Sequence, residues 1–380
     1  MKKIVIIGAN NFQNPLILKA KQLGYETHVF AWKDGSIGEK TADYFYPISI
    51  VEKDKILEKC KEIKPIAICS IASDLATNTV NYVAKELGLP CNNLSCTKKS
   101  TNKFLMRQAF KENGVPTPGF EIIDKNMNLE ILDYMKYPLI VKPTDRSGSR
   151  SITKIHKKDE LIPAIKLAQK DSFENKAIVE EFIEGEEFSI EGISYNGKHN
   201  FLAITRKKTT GAPHFIETGH IEPAGLTEEI NKKVKEMITK ALDALEVENS
   251  ASHSEFKITP TGDIRIIEIG ARMGGDCIGS DLVEISTGYD FKKMVIDVAI
   301  GNKPDFTKVV NPRIAVIKFI FNEKDLEKIQ EVESKNPKSV YFKSKIEKIN
   351  SHEVKDSSTR FGYYIFAFEK EEEVRWDLFE

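Results

Sequence analysis

Two glutamates, Glu255 and Glu268, flank the turn Pro260-Thr261-Gly262-Asp263, each inside a short β-rich run (residues 253–258 and 263–269). Runs and turn read as a β-hairpin. A loop centred on Thr261-Gly262 sets Glu255 opposite Glu268, and a slip of two residues would keep both on one face, because side chains alternate with a period of two. Directly opposed carboxylates lie roughly 4.5–5.5 Å apart at Cβ and are destabilising unless a cation sits between them. Oxygen donors without cysteine suit a hard ion, Mg2+ or Mn2+. His253, Lys257 and, if the strand runs on, Arg272 share that face. Arg272 follows in a glycine-rich exit (Gly270, Gly274, Gly275), from which a guanidinium can reach a phosphate or a developing oxyanion. An exposed hairpin with solvated acids is the plain alternative. The largely apolar run around Glu268, residues 264–269, argues against it.

Basic groups precede this hairpin. Residues 137–143 form an apolar strand that carries Lys142, and a buried-strand lysine needs an anionic partner or a neutral state. Thr144-Asp145-Arg146-Ser147-Gly148-Ser149-Arg150 follows directly, a small hydroxyl-rich loop able to present backbone N–H groups to phosphates. Taken alone it would read as a simple hairpin turn; with Lys142 just upstream, phosphate contact is favoured. A helix from about residue 100 to 113 carries Lys103 and Arg107. Another apolar strand, residues 177–182, runs into Glu180-Glu181-Phe182-Ile183-Glu184-Gly185-Glu186-Glu187. Glu187 opens a strand over 188–195, with an Asn196-Gly197 turn into 198–205; its carboxylate can hold ribose hydroxyls or be a plain edge-strand acid. Residues 209–220 are irregular and contain His214, Glu217 and His220, which reads as a substrate loop over a cleft.

The elements around these residues fall into three units. At 380 residues the chain suggests two to three domains, taking roughly 150 residues per domain. Residues 1–95 alternate strand and helix as a small parallel doubly wound unit. Asn14 is the expected cap of its first helix, Pro15 suits the first helical position and Gly24 the end; Ser73 or Asp74 starts a later helix. Its first turn, Gly8-Ala9-Asn10-Asn11-Phe12, is not GxGxxG, so a nicotinamide site is poorly supported, while a ligand at the strand ends remains an expectation. Residues 96–305 form the unit that holds the lysines, the loop and the hairpin, with a ligand between 96–185 and 186–305. Residues 306–380 read as a small C-terminal α+β appendage. The 41% hydrophobic content is ample for a core, and a net charge of -1 gives no electrostatic reason to expect nucleic acid or a membrane surface. No apolar run approaches a membrane span. The five cysteines form no CxxC and read as reduced thiols of a cytoplasmic protein.

The ordered set Lys103, Val141-Lys142-Pro143, Ser/Gly loop, Glu180-Glu181-Phe182-Ile183-x-Gly-x-Glu187, Glu255, Glu268-Ile-Gly-Ala-Arg272-Met-Gly-Gly resembles the ATP-grasp superfamily over roughly residues 1–300. The N-terminal helix Gln13-x-Pro15-Leu16-Ile17-x-x-Ala20-Lys21-x-Leu23-Gly24 is similar to that of the superfamily's Rossmann-like pre-ATP-grasp domain. His253-Ser254-Glu255 and Ala271-Arg272-x-Gly-Gly are nearest to carboxylate–amine ligases of the L-amino-acid ligase type, with carbamoyl-phosphate-synthase-like members as wider neighbours. The resemblance implies an ATP-grasp domain of two α+β subdomains. It implies that Lys103, Lys142, Ser147 and Ser149 contact ATP phosphates. Glu180 and the backbone of Glu181, Phe182 and Ile183 would hold adenine, Glu187 the ribose, Glu255 and Glu268 the Mg2+, and Arg272 an acyl-phosphate. His253 or His214 is the candidate to take a proton from an attacking amine. Two positions depart from the pattern: Gly270 stands where many members have Asn, and Ser151 where the loop usually ends in Gly. The implied reaction activates a carboxylate with ATP for attack by an amine, both small molecules and amino acids among the candidates, with a homodimer as the commonest default. The rival enzyme is a bicarbonate-activating carboxylase or carbamoyl-phosphate-synthase-like protein, against which stands the lack of a biotin-carrier or glutaminase segment. The rival of another class is a non-catalytic nucleotide-binding protein.

Overall fold

The computed structural model describes residues 1–212 and 215–379. His214 lies outside the described residues. Three sheets follow one another along the chain. The first holds β1 (Lys3–Ile7), β2 (Glu26–Phe30), β3 (Tyr44–Tyr46) and β4 (Ala67–Cys69) in the order β3-β2-β1-β4, all parallel. Strands β1 and β4 each carry a nearly continuous apolar run, residues 4–7 and 67–69, because both faces of the sheet are covered. Asn14 is not the cap of the first helix: Asn14–Gln22 starts without a side-chain cap, and Asn14 accepts a hydrogen bond from the Thr41 hydroxyl at 2.5 Å. Pro15 occupies the first turn of that helix. Helix Asp74–Glu86 begins as its sequence suggests, with Ser73 accepting from the Ala76 N–H.

Residues 100–113 are not one helix. Helix Leu94–Thr101 stops at Asn102, and Lys103–Glu112 starts there. The Asn102 side chain accepts from the N–H groups of Phe104 and Leu105 at 3.1 Å each. Asparagine competes for backbone donors better at a cap than inside a helix, and the break places Lys103 on the first turn.

The second sheet is antiparallel, with β5 (Phe120–Ile123), β6 (Leu139–Pro143), β7 (Thr153–Ile155) and β8 (Ala177–Glu181) in the order β5-β8-β6-β7. The third has eight strands: β9 (Glu186–Tyr195), β10 (Lys198–Thr209), β11 (Glu217–Glu222), β12 (Ser250–Ile258), β13 (Ile264–Gly270), β14 (Ile314–Phe319), β15 (Val340–Lys343) and β16 (Tyr363–Phe368). Their order is β13-β12-β9-β10-β11-β14-β16-β15, so β14, β16 and β15 extend the large sheet from β11 outward. Strand alternation divides this sheet into two faces. Phe188, Ile190, Phe256 and Ile266 point to the back, where Val234, Ile238, Ala241 and Leu242 of helix Glu228–Ala244 pack on them. That helix starts at Thr227, whose side chain caps Ile230. Glu187, Glu191, His253, Glu255 and Lys257 are left on the front.

Candidate functional site

The hairpin β12–β13 sets Glu255 opposite Glu268, His253 opposite Gly270 and Ser254 opposite Ile269. Nearer the turn the pairing is Ile258 with Ile264 and Lys257 with Arg265, and the register shifts by one residue between Glu255 and Phe256. The loop therefore centres on Thr261 alone, and a bulge at Ile267 restores the expected pairing. An extra residue bends the strand and re-aims its neighbours; here both Ile267 and Glu268 turn into the cleft in front of the sheet.

That cleft lies between the second and third sheets. It collects Lys103, Lys142, Ser147, Ser149, Glu180, Glu181, Phe182, Ile183, Glu187, His253, Glu255, Glu268 and Arg272. Glu217 lines it as well, whereas His220 is buried beside it, 3.6 Å from Asp276. The connection from β8 to β9 supplies Phe182 and Ile183 as an apolar wall, with the Phe215 ring 6.2 Å from that of Phe182. The Lys154 and Lys257 ammonium groups stand 3.6 and 5.0 Å from the centre of the Phe182 ring.

The charged groups are interlocked. Glu180 is buried between two cations, Arg107 (Nε–Oε1 2.9 Å) and Lys142 (Nζ–Oε2 2.8 Å). Burial alone would raise its pKa, but Arg107 and Lys142 outweigh that and lower it to about 2. Burial pulls Lys142 below its usual value, with Glu180 opposing. Lys103 donates to Glu268 at 2.8 Å and to the carbonyl of Arg146 at 2.6 Å; burial works against its charge and Glu268 outweighs it. Lys207 sits among three carboxylates, in contact with Glu255, 3.3 Å from Glu187 and 3.8 Å from Glu217. Despite burial, those acids, Glu255 first, hold it well above the ordinary lysine value, and Lys207 with His253 keeps Glu255 well below the carboxylate range against the cost of burial.

His253 bridges the Glu191 carboxylate through Nδ1 and Glu255 through Nε2, the latter at 3.2 Å. Burial would lower its pKa, yet Glu191 and Glu255 raise it to about 9. With a carboxylate facing each ring nitrogen the protonated ring is favoured, which argues against His253 as the acceptor of the amine's proton. Glu191 also accepts from the Gly274 N–H at 2.9 Å. A Cβ on Gly274 would lie 2.6 Å from the Glu191 carboxylate and 2.7 Å from the imidazole, which explains a glycine there. Arg272 forms a two-pronged pair with Asp74 at 2.8 and 2.9 Å.

Sequence reasoning missed several of these partners. Asp74 was read only as the start of a helix, and the structure brings it from the first sheet's unit to Arg272. Lys207 stands in the run Arg206-Lys207-Lys208, which looks solvated. The period-two spacing of Glu187, Ser189 and Glu191 was the available signal for Glu191. Among the described residues no group of three or more His, Cys, Asp or Glu is arranged to hold a metal ion. The oxygen donors of Glu255 and Glu268, opposed across two strands, do suit a hard divalent cation whose remaining ligands are phosphate oxygens and water.

Comparison with known proteins bears on the fold. Residues 135–281 match the ATP-grasp domain family, and the chain has the ATP-grasp fold. A superposable structure is the L-amino acid ligase from Bacillus licheniformis, with TM-score 0.80, 23% identity and coverage of 98% of this chain and 95% of that one. Another is N5-carboxyaminoimidazole synthetase from Staphylococcus aureus complexed with ADP, with TM-score 0.79, 15% identity and coverage of 100% and 97%. In sequence the chain is similar to the alanine–anticapsin ligase of Bacillus subtilis, 28% identical over 317 residues. That match takes in 73% of this chain, which thus spans 65% of the length of that relative. No helix among the described residues is long and apolar enough to cross a membrane.

Proposed function

We propose that the protein is an ATP-dependent carboxylate–amine ligase. The observation that carries this reading is the opposed Glu255–Glu268 pair in one cleft with Arg272, Lys103, Lys142 and the wall of Phe182 and Ile183. Phe182, Ile183 and Phe215 suit the adenine and Glu187 the ribose. Lys142 and Lys103, with Ser147 and Ser149 of the loop, suit the phosphates. Glu255 and Glu268 would hold Mg2+, which when bound screens the phosphate charge during transfer.

In this reading the substrate carboxylate attacks the γ-phosphorus, the bond to the β–γ bridging oxygen breaks, and ADP leaves. The protein contributes positioning and positive charge from Lys142, Lys103 and Arg272. The amine then attacks the acyl-phosphate carbonyl, the C–O bond to phosphate breaks, and an amide and phosphate result. His253 stays in the site as a cation and hydrogen-bond donor facing the reacting groups. The amine's proton leaves with phosphate or to water. The similarity to alanine–anticapsin ligase and to an L-amino acid ligase supports amino acids as the first substrates to try. The five thiols are free in the structure, which fits a reducing, cytoplasmic setting.

The test is Mg2+-dependent phosphate release from ATP over a grid of amino-acid pairs, with Glu268→Gln as control. Release that requires both partners, yields a condensed mass and vanishes in the control is the expected result. Release with bicarbonate and with no amine pair would refute it in favour of a carboxylase.

A further inference from the structure

A second cleft opens off the first and shares Asp74, Lys103, Arg146, Ser147, Arg150 and Glu268 with it. Its own walls are the first turn of helix Asp74–Glu86, the junction at Asn102, and Phe173. Its acids are all engaged. Asp74 is paired with Arg272 and Glu268 with Lys103. Asp145 accepts from the N–H groups of Phe173 and Glu174 at 3.1 and 2.9 Å. Glu174 accepts from Asn102 at 3.3 Å and lies 3.6 Å from Lys176. Of its cations, Lys103 is taken by Glu268, whereas among the described residues Lys98, Arg146 and Arg150 have no carboxylate within ion-pair distance in the structure.

Arg146 is the informative one. Its guanidinium carbon lies 4.3 Å from the centre of the Phe173 ring, and its Nε is buried without a hydrogen-bond partner. Stacking on an aromatic face holds a guanidinium flat and leaves its edge free to fork onto an oxyanion. The N-termini of helices Asp74–Glu86 and Lys103–Glu112 end at the same cleft and add to the positive field there.

We infer that this second cleft is an oxyanion subsite, which takes a phosphate or carboxylate group while the nucleotide occupies the first cleft. The inference rests on the ligase reading. Two sources share that chemistry. One is a distal anionic group on the carboxylate or amine substrate, so that the substrate class becomes dianionic. The other is the phosphate released after acyl transfer, for which this cleft would be the way out.

The probe is inorganic phosphate, titrated calorimetrically against the protein with and without saturating Mg2+ and a non-hydrolysable ATP analogue. Saturable binding to the nucleotide-loaded protein is expected, weakened at least tenfold in Lys98→Gln and in Arg146→Met, with analogue affinity in Lys98→Gln within twofold of wild type. Lys98 is exposed and outside the nucleotide cleft, so the fold and the nucleotide site are left intact in that variant. Phosphate that competes with the analogue, that binds wild type and both variants alike, or that fails to bind overturns the subsite. If the analogue itself fails to bind, the ligase reading falls, and the phosphate titration without nucleotide still decides the subsite. Matched carboxylates with and without a distal phosphate then separate the sources. A preference in kcat/KM for the anionic member that Lys98→Gln removes assigns the site to substrate. No preference, with product inhibition by phosphate relieved in Lys98→Gln, assigns it to phosphate release. Neither effect overturns the proposal.

Discussion

Replacing Glu180 with Gln should cost nucleotide binding through Lys142 rather than through any contact of Glu180 with the base. Glu180 is the sole carboxylate in direct contact with the buried cations Arg107 and Lys142 among the described residues. Glutamine keeps the shape and one acceptor but removes the charge. Leaving buried charges uncompensated costs about 3–5 kcal/mol of stability. Burial already pulls Lys142 below its ordinary value, and Glu180 is the largest influence that holds it up. Without that carboxylate the ammonium titrates lower still. Loss of one charged hydrogen bond to phosphate is worth about 1.5–3 kcal/mol, or roughly a 10- to 150-fold weaker Kd at 1.4 kcal/mol per decade. The assay is calorimetric titration of a Mg2+-loaded ATP analogue between pH 6 and 9. The variant should bind progressively less tightly as pH rises, because the neutral amine is then the dominant form. Arg107→Met provides the mirror experiment. It removes a cation that also depresses Lys142, so stability should fall while nucleotide affinity holds. A Glu180→Gln protein that folds and binds the analogue within twofold of wild type, flat with pH, would refute this reasoning. It would leave Glu180 with at most a neutral contact to the adenine.

Asp74→Asn should reduce turnover roughly 10- to 100-fold while leaving the KM for ATP in place, since a bidentate carboxylate orients Arg272 and a neutral amide does so less firmly; steady-state kinetics that show no loss in kcat would count against a role for the pair. Gly274→Ala should abolish turnover yet leave the analogue bound at the lysines, because the new methyl collides with Glu191 and His253; unchanged activity would mean that this contact is unimportant. Glu222 is fully buried beside the hydroxyls of Thr205 and Ser286, and burial raises its pKa from 4.5 to about 8. Its folded pKa exceeds the unfolded one, so its contribution to stability is complete below pH 4.5 and is lost as pH rises through about 8. At 1.36 kcal/mol per unit that loss is about 5 kcal/mol. Glu222→Gln should flatten this part of the pH–stability profile in chemical unfolding, and parallel decline of the two proteins from pH 5 to 9 would show that Glu222 is ionised when folded.

The parts of the site that were legible in the sequence are the ones governed by neighbours along the chain. The opposition of Glu255 and Glu268 follows from a turn, two β-rich runs and side-chain alternation. The Ile267 bulge was not legible, because a bulge answers to the sheet on both sides of the strand and not to the turn. Lys142 and the loop after it announced themselves by a charge at the end of an apolar strand, and Ser73 by its position ahead of a helix. Asn102, which breaks one expected helix in two, carried the same kind of signal and is what sets Lys103 where it reaches Glu268.

The electrostatic state of the site is a different matter. Whether Lys207 is a solvated surface lysine or the centre of three carboxylates depends on β9 and β11 pairing with β10 and on β12 lying beyond β9. Arg272 and Asp74 are 198 residues apart in the chain and 2.8 Å apart in space. An isolated imidazole titrates near neutrality, whereas Glu191, brought alongside His253 by strand pairing, favours its protonated form. Sequence alone determined which chemical groups are available and the local geometry that backbone periodicity imposes. Tertiary structure decided which charges meet, because burial removes the water that would otherwise screen each of them and leaves its nearest partner to set its state.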